Sequence, residues 1–386
     1  MRSFLHPGRT FAALSVLLLS FLLNACTKEP NGTGIGIIPP EDLVAADSSI
    51  LYPSQAVTFP ATFGTGQGNV LIVGNSPLCE SVGLLSFSDI PDTLKGAAVS
   101  SAILTLSPTY SFGDTLASFL MSVHEVASAW KADSVYWSSI TPGFYNSASV
   151  GSLTGVFPDT GTVAISLDPA LIQRWFQQRA DSVPVNGIAL VASGGTNIVK
   201  GFGSFIWGTP PRLEIAYAKS GRLDTLQLIT GSSAYAAHPG SLSIPQGRFV
   251  IAGGVGQRGY LFADVRSIPA RAIIHDARLI LSVDQQATLL NHYSVDSLVA
   301  YFVTDSSSKA YSTTGYQPSA PRSLTSQTLE VPIGPIVQRW VSGESNQGIV
   351  LRPLAESYRL DRFVFYGAQA DTLLRPRLII RYTPVK

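Results

Sequence analysis

Short runs in which apolar and polar residues alternate make up most of the chain after residue 43. In one such run, apolar residues stand at Ala102, Leu104 and Leu106. A period of two places successive side chains on opposite faces of a β-strand. Gly, Pro, Asn, Asp and Ser lie between the runs, and these residues favour turns. The pattern predicts an all-β fold made of antiparallel β-sandwiches.

Two stretches break the strand pattern and predict short helices. In the first, Asp168 and Pro169 occupy the positions of an N-cap and a first-turn proline, and apolar residues including Trp175 follow at helical spacing. The second stretch begins near Gly334 and repeats this spacing as far as Trp340. Because each tryptophan lies on the apolar stripe of its helix, we expect both to be core residues.

Six blocks of sequence in the first half recur in the same order in the second half. The matched blocks are 68–74 with 247–253, 83–91 with 259–269, 99–106 with 274–281, 172–175 with 337–340, 187–190 with 348–351, and 211–217 with 376–382. Such an ordered set predicts an internal duplication. We therefore expect two tandem β-sandwich modules, at residues 44–219 and 220–386, with one short helix in each.

The first 25 residues have the features of a secretory leader. Arg2 and Arg9 precede an apolar run at 11–23, which is too short to span a bilayer comfortably. The run ends at Ala25 and Cys26, and this ending resembles a bacterial lipobox, in which the cysteine is acylated and becomes the mature N-terminus. We predict a lipoprotein signal peptide at residues 1–25. The alternative is an ordinary leader followed by a cysteine by chance.

Residues 26–43 are rich in Gly and Pro and predict a flexible tether between the lipid and the folded modules. Several acyl chains on Cys26 would anchor the protein far more firmly than one. Thr27 follows the cysteine where inner-membrane retention signals carry Asp. By resemblance to lipoprotein sorting rules, this favours an outer-membrane location.

The numbers of charged residues indicate which kinds of partner to expect. Charged residues make up 13% of the chain, against about 25% in ordinary soluble proteins. The 26 basic and 25 acidic residues nearly balance, so nucleic acid is not an expected partner. This weakly charged composition is typical of extracellular β-proteins.

The residue pattern gives no sign of a catalytic or metal site. The histidines at 124, 238, 275 and 292 are not paired at metal-ligand spacing, and no Gly-x-Ser-x-Gly nucleophile elbow occurs. Cys79 is the only cysteine besides Cys26, and we expect an inert thiol there because its neighbour Glu80 is acidic. The sequence thus predicts no catalytic residue, no metal and no cofactor.

The order of these motifs resembles the DNRLRE domain family. The motifs are a Gly-bounded strand, a strand closing in Ile-Pro, a Val-x-x-Ala-x-Leu-x-Leu strand, a capped helix ending in Trp, and a terminal Pro-Arg-Leu-x-Ile-x-Tyr strand. Trp130, Val135 and Trp137 resemble the two-tryptophan stretch of that family. The resemblance implies tandem jelly-roll-like sandwiches on a secreted or surface bacterial protein, in some members similar to carbohydrate-binding modules.

We therefore expect a non-catalytic, lipid-anchored envelope protein that binds carbohydrate at the cell surface. Aromatic rings that stack on sugar faces are the candidate contacts, and they are Trp130, Tyr136, Trp137, Tyr145 and Trp207. The alternative for each ring is burial in a sandwich core or corner. The alternative function is that of a structural or adhesion component of the outer membrane, with envelope proteins instead of polysaccharide as partners.

Overall fold

A computed structural model describes residues 46–194, 197–206, 208–291, 296–315 and 327–385. The predicted signal peptide, Cys26, the tether at 26–43 and the candidate Trp207 lie outside these residues. The expectations that concern them therefore stay predictions.

The described residues form 23 β-strands and two α-helices, so the all-β prediction is confirmed. The strands are β1 Asp47–Leu51, β2 Gln55–Pro60, β3 Val70–Ser76, β4 Cys79–Ser86, β5 Ala98–Leu106, β6 Pro108–Gly113, β7 Phe119–Val126, β8 Tyr145–Gly155, β9 Val163–Ser166, β10 Ile188–Ala192, β11 Ile198–Gly203, β12 Arg212–Lys219, β13 Arg222–Ile229, β14 Ser232–Pro239, β15 Arg248–Ala252, β16 Gln257–Phe262, β17 Ile273–Ser282, β18 Leu298–Asp305, β19 Ala310–Gly315, β20 Thr328–Pro332, β21 Ile349–Pro353, β22 Arg362–Tyr366 and β23 Arg377–Thr383. The helices are α1 Pro169–Ala180 and α2 Gly334–Val341.

Four antiparallel sheets form two sandwiches. The first sandwich contains an eight-stranded sheet in the order β6-β11-β3-β4-β10-β7-β8, with β14 beside β4, and a four-stranded sheet β13-β12-β5-β9. The second contains a seven-stranded sheet β19-β18-β21-β16-β15-β22, with β2 beside β16, and a four-stranded sheet β1-β23-β17-β20. The matched sequence blocks form strands with equivalent partners, such as β5 with β12 and β17 with β23. The duplication itself stays a prediction.

Each sandwich has the predicted short helix, and both helical tryptophans are buried. Asp168 caps α1 as expected, since its carboxylate accepts a hydrogen bond from the Ala170 N–H at 2.9 Å. Trp175 is 1% exposed and Trp340 6% exposed. The Trp175 indole donates to the Glu125 carboxylate at 3.3 Å, so this buried N–H is satisfied inside the sandwich.

The sheets do not follow the predicted modules 44–219 and 220–386. Strands β1 and β2 come from the first half, yet they pair with β23 and β16 of the second sandwich. Strands β13 and β14 come from the second half, yet they pair with β12 and β4 of the first. The first sandwich therefore consists of β3–β14, and the second of β1, β2 and β15–β23. The two sandwiches exchange their first two strands.

Two connections cross between the sandwiches as a result, at 61–69 and 240–247. Near these connections, two threonine hydroxyls each form hydrogen bonds with both the N–H and the carbonyl group of one distant residue. Thr58 Oγ1 donates to the Val250 carbonyl at 2.9 Å and accepts from its N–H at 2.6 Å. Thr65 Oγ1 does the same with Tyr235, at 2.6 and 2.9 Å. These bonds satisfy backbone groups where a regular strand pairing is interrupted.

The apolar cores of the two sandwiches also meet, although two tandem modules would each enclose a separate interior. Phe249 and Ile251 on β15 lie in the core of the second sandwich, while Val250 between them joins the core of the first. On β22, Phe363 and Val364 divide in the same way. Alternate side chains of a strand point to opposite faces. One face of β15 and β22 is therefore buried in the core of the first sandwich, and the other face is buried in the core of the second.

The strand exchange can be tested with fragments. Residues 62–246 keep every strand of the first sandwich, whereas residues 44–219 lack β13 and β14 and carry β1 and β2 without partners. We expect 62–246 to unfold cooperatively on heating and 44–219 to aggregate or melt without a transition, because unpaired strand edges promote association. Circular dichroism and gel filtration measure both properties. Equal stability of the two fragments would contradict the exchange.

Candidate functional site

Three of the predicted aromatic residues lie on one segment, residues 127–144, which connects β7 to β8. This segment covers the outer face of the eight-stranded sheet, where Val135 and Phe144 pack on Leu84, Ala189 and other buried side chains. The neighbours of Leu84 and Ala189 on their strands, such as Leu85 and Ile188, point the other way into the main core. The 127–144 segment thus buries the apolar side chains on the outer face of the eight-stranded sheet.

Hydrogen bonds fix the conformation of the 127–144 segment at both of its ends. The Trp130 indole donates to the Asn186 carbonyl at 2.9 Å, and the Asn186 side chain donates to the Ala127 carbonyl at 3.1 Å. Near the other end, a short 3-10 helix spans Trp137–Ser139, and the Ser139 hydroxyl accepts from the Tyr136 N–H at 3.2 Å. The aromatic rings are therefore held on a fixed backbone.

The connection 61–69 runs directly against the 127–144 segment. A Cβ atom built on Gly66 would lie 2.5 Å from the Ala132 carbonyl oxygen, and one on Gly64 would lie 3.1 Å from the Asp133 carbonyl oxygen. Because such contacts leave no room for a side chain at position 66, glycine is required there. The position of the segment consequently depends on a connection that exists only because the sandwiches exchange strands.

Trp130, Tyr136 and Trp137 are all half-buried, but they face two different cavities. The cavity at Trp130 has a volume of about 470 Å³ and includes Lys131, Asp133 and Asn186 in its lining. The cavity at Tyr136 and Trp137 has a volume of about 250 Å³. Both place an aromatic ring next to polar groups, an arrangement that suits ligands with apolar faces and hydroxyl edges.

Tyr145 lies apart from these cavities. It begins β8, and its ring packs against that of His124 with centroids 5.3 Å apart. Both nitrogens of His124 are hydrogen-bonded, to the Ser122 hydroxyl at 2.8 Å and to the Asn146 carbonyl at 2.9 Å. This pairing gives Tyr145 a packing role. The other three described candidates share the 127–144 segment, with Trp130 at one cavity and Tyr136 and Trp137 at the other.

A polar cluster that sequence reasoning missed lies at the junction of the sandwiches. Lys200 on β11 is 2% exposed. Its ammonium group donates to the Ser111 hydroxyl at 2.6 Å, to the Phe157 carbonyl at 2.8 Å and to the Asp159 carboxylate at 3.2 Å. Ser111 in turn donates to Asp159. All three N–H groups of the ammonium have acceptors, as a buried charge requires.

Two buried carboxylates hold the neighbouring backbone of the second sandwich. Asp361 accepts from the Asn291 N–H at 2.6 Å and from the Asp296 N–H at 2.7 Å. Asp296 accepts from the N–H groups of Ser297 at 2.7 Å and Ala355 at 3.0 Å. Burial raises the pKa of Asp361, and burial together with the charge of Asp361 raises the pKa of Asp296 to about 6.

Other reactive groups among the described residues are equally enclosed. Cys79 is a buried free thiol, and burial, reinforced by the charge of Glu80, raises its pKa. The described parts of the chain contain no group of three His, Cys, Asp or Glu side chains placed to hold a metal ion. Within these same parts, no helix is long and apolar enough to cross a membrane.

Comparisons with known proteins assign no family to this chain. No family model matches it, and no curated protein matches it. Among solved structures, one match is the "Structure of infectious bursal disease virus Gx strain", at 13% identity and a TM-score of 0.12, covering 90% of this chain and 78% of that chain. A TM-score this low carries no argument about fold or function. The DNRLRE resemblance and the roles of the site residues stay predictions.

The raised pKa of Asp296 predicts a specific dependence of stability on pH. Because the pKa in the folded state lies above the ordinary value of 3.8, the protonated side chain favours folding. That contribution is present below about pH 4 and is lost as the pH rises through about 6. We expect the melting temperature of Asp296→Asn, relative to the wild type, to increase from pH 4 to pH 7.

Asp305→Asn is the matched control, because hydrogen bonds from Ser308 and Ser307 lower the pKa of exposed Asp305 to about 2. Its melting temperature relative to the wild type should stay constant over the same range of pH. A difference for Asp296→Asn that is equally constant would show that Asp296 does not titrate in this window.

Proposed function

We propose that this chain is a lipid-anchored outer-membrane protein that binds carbohydrate without catalysis, through the 127–144 segment. The observation that carries the proposal is the placement of Trp130, Tyr136 and Trp137, half-buried, on one rigid segment beside polar side chains. Aromatic faces pack well on the C–H faces of sugar rings, and neighbouring polar groups fix their orientation.

The polar neighbours suit hydroxyl groups. Asp133 supplies a carboxylate acceptor, and Lys131 supplies an ammonium donor at the Trp130 cavity, where both side chains are exposed. The exposed Thr62 lines the cavity at Trp137. With one donor and one acceptor of opposite charge at Trp130, the site favours a neutral polyhydroxylated ligand over a highly charged one.

The membrane is the second partner in this proposal, and its support lies in the sequence. The positively charged start, the short apolar run and Ala25-Cys26 supply an export signal and an acylation site. The Gly- and Pro-rich stretch at 26–43 would separate the lipid from β1, the first described strand. Carbohydrate binding would then take place close to the outer membrane.

Retention on insoluble polysaccharides tests the binding proposal. We expect Trp130→Ala and Trp137→Ala each to weaken binding about fivefold, since one stacked aromatic ring contributes on the order of 1 kcal/mol. Trp130→Phe loses the hydrogen bond to the Asn186 carbonyl. Because it keeps an aromatic ring, it should retain most of the binding. Tyr52→Ala, at a ring 39% exposed on the second sandwich, is the control. Unchanged retention in both alanine variants, with folding intact, would overturn the proposal.

Metabolic labelling with an alkyne fatty acid tests the anchor. We expect the wild type to be labelled and to sediment with membranes, and Cys26→Ser to lose the label and to leave the membrane fraction. Cys79→Ser is the matched control, because the Cys79 thiol is buried and inaccessible to an acyl transferase. Labelling that persists in Cys26→Ser would contradict the lipobox prediction.

A further inference from the structure

A cleft lies where the two sandwiches meet, on residues that the 127–144 segment does not use. Two adjoining cavities of about 570 and 400 Å³ share Ser111, Thr115 and Asn291 in their linings. Ligand sites of about 300–1,000 Å³ are common, and they occur preferentially at junctions between domains. Because β15 and β22 place alternate side chains in the two apolar cores, the two walls of the cleft belong to sandwiches that pack against each other.

The larger cavity holds the charged side chains of the cleft. Tyr110, Asp159 and Lys200 line it from the first sandwich, and Asn291 and Arg359 line it from the second. The Asn291 side chain crosses the junction and donates to the Ser111 carbonyl at 3.2 Å. Polar groups from both sandwiches therefore converge on one space.

The positive and negative side chains at and beside the larger cavity nearly balance. Lys200 is paired with Asp159 at 3.2 Å, and Arg359 is close enough to Asp361 to counteract the rise in the pKa of that carboxyl. A strongly anionic or cationic ligand would find no net opposite charge here. Hydroxyl groups, which donate and accept without a formal charge, match this lining.

Asp159 offers a hydrogen-bond acceptor to the cleft. Both of its bonds, from Ser111 and from Lys200, reach Oδ1. Its side chain keeps 26% exposure, and no described residue donates to Oδ2. An ionised carboxylate oxygen forms strong hydrogen bonds with hydroxyl donors, so Oδ2 is placed to accept from a ligand.

Among the described residues that line the smaller cavity, none is charged. Its lining includes the side chains of Leu78, Phe112, Val283, Leu289 and Leu290. Leu289 is 37% exposed although it belongs to this lining. A ligand that extends from one cavity to the other must therefore combine hydroxyl groups with an apolar face.

We infer that the inter-sandwich cleft is a second binding site, for a neutral saccharide. Asp159 Oδ2 accepts from its hydroxyls, and the leucine side chains that line the smaller cavity cover a C–H face. The buried Lys200–Asp159–Ser111 cluster supports this role, because a buried ion pair is seldom more stabilising than apolar residues of the same volume. The inference does not rest on the 127–144 segment, since the two sites share no residue.

Thr115 offers a way to block the cleft without disturbing its buried cluster. It lines both cavities and is exposed, so Thr115→Trp fills the cleft from its open side. Thr154, an exposed threonine on the edge strand β8, gives the matched control Thr154→Trp. Asp159→Asn is a poorer choice on its own, because it removes the charge that pairs with buried Lys200.

Titration calorimetry on the full chain with cellobiose, maltose and lactose, and with digalacturonate as a charged comparison, tests the inference. We expect a neutral disaccharide to bind, with affinity lowered at least about tenfold by Thr115→Trp and changed less than about twofold by Thr154→Trp and Trp137→Ala. Loss of binding in Trp137→Ala but not in Thr115→Trp would place the ligand on the 127–144 segment and overturn the cleft. Preference for digalacturonate, or no binding of any disaccharide, would overturn it as well.

Discussion

Backbone pairing across the two halves is the constraint on which the rest of this structure depends. Strands β1 and β2 complete the second sandwich, and β13 and β14 complete the first. Each exchanged strand satisfies backbone groups along a sheet edge that would otherwise be unpaired. Neither sandwich has its full set of strands unless the chain crosses the junction twice, so separation of the halves is coupled to loss of sheet pairing.

The exchange of strands between the sandwiches affects the position of both candidate sites, the 127–144 segment and the inter-sandwich cleft. The crossing connection 61–69 lies against the 127–144 segment at Gly66 and is fastened to β14 by the Thr65 hydroxyl. Strands β15 and β22 place alternate side chains in the two cores. The sandwiches are consequently joined by buried apolar contact and by covalent crossings, which keeps the walls of the cleft together.

Local features of the fold could be predicted from sequence because short-range patterns determine them. The period of two around Leu104 and the capped apolar stripe that holds Trp175 specify a strand and a helix without reference to distant residues. The exchange could not be predicted, because the alternation of a strand does not identify its partner. Lys200 shows the same limit: a lysine in a strand suggests a solvated face, but its burial depends on Ser111 and Asp159, which are 89 and 41 residues away.

The difference between local patterns and distant contacts also explains why sequence alone could not assign the aromatic candidates to binding or to packing. A tryptophan in a loop indicates either a ligand platform or a cover for an apolar sheet face, and the 127–144 segment combines the two. One side of each ring packs on the outer face of the sheet, which fixes the ring without using all of its surface. The remaining surface lies beside Lys131 and Asp133 or beside Thr62. A ring immobilised in this way loses little conformational entropy on binding, so packing and recognition favour the same residues.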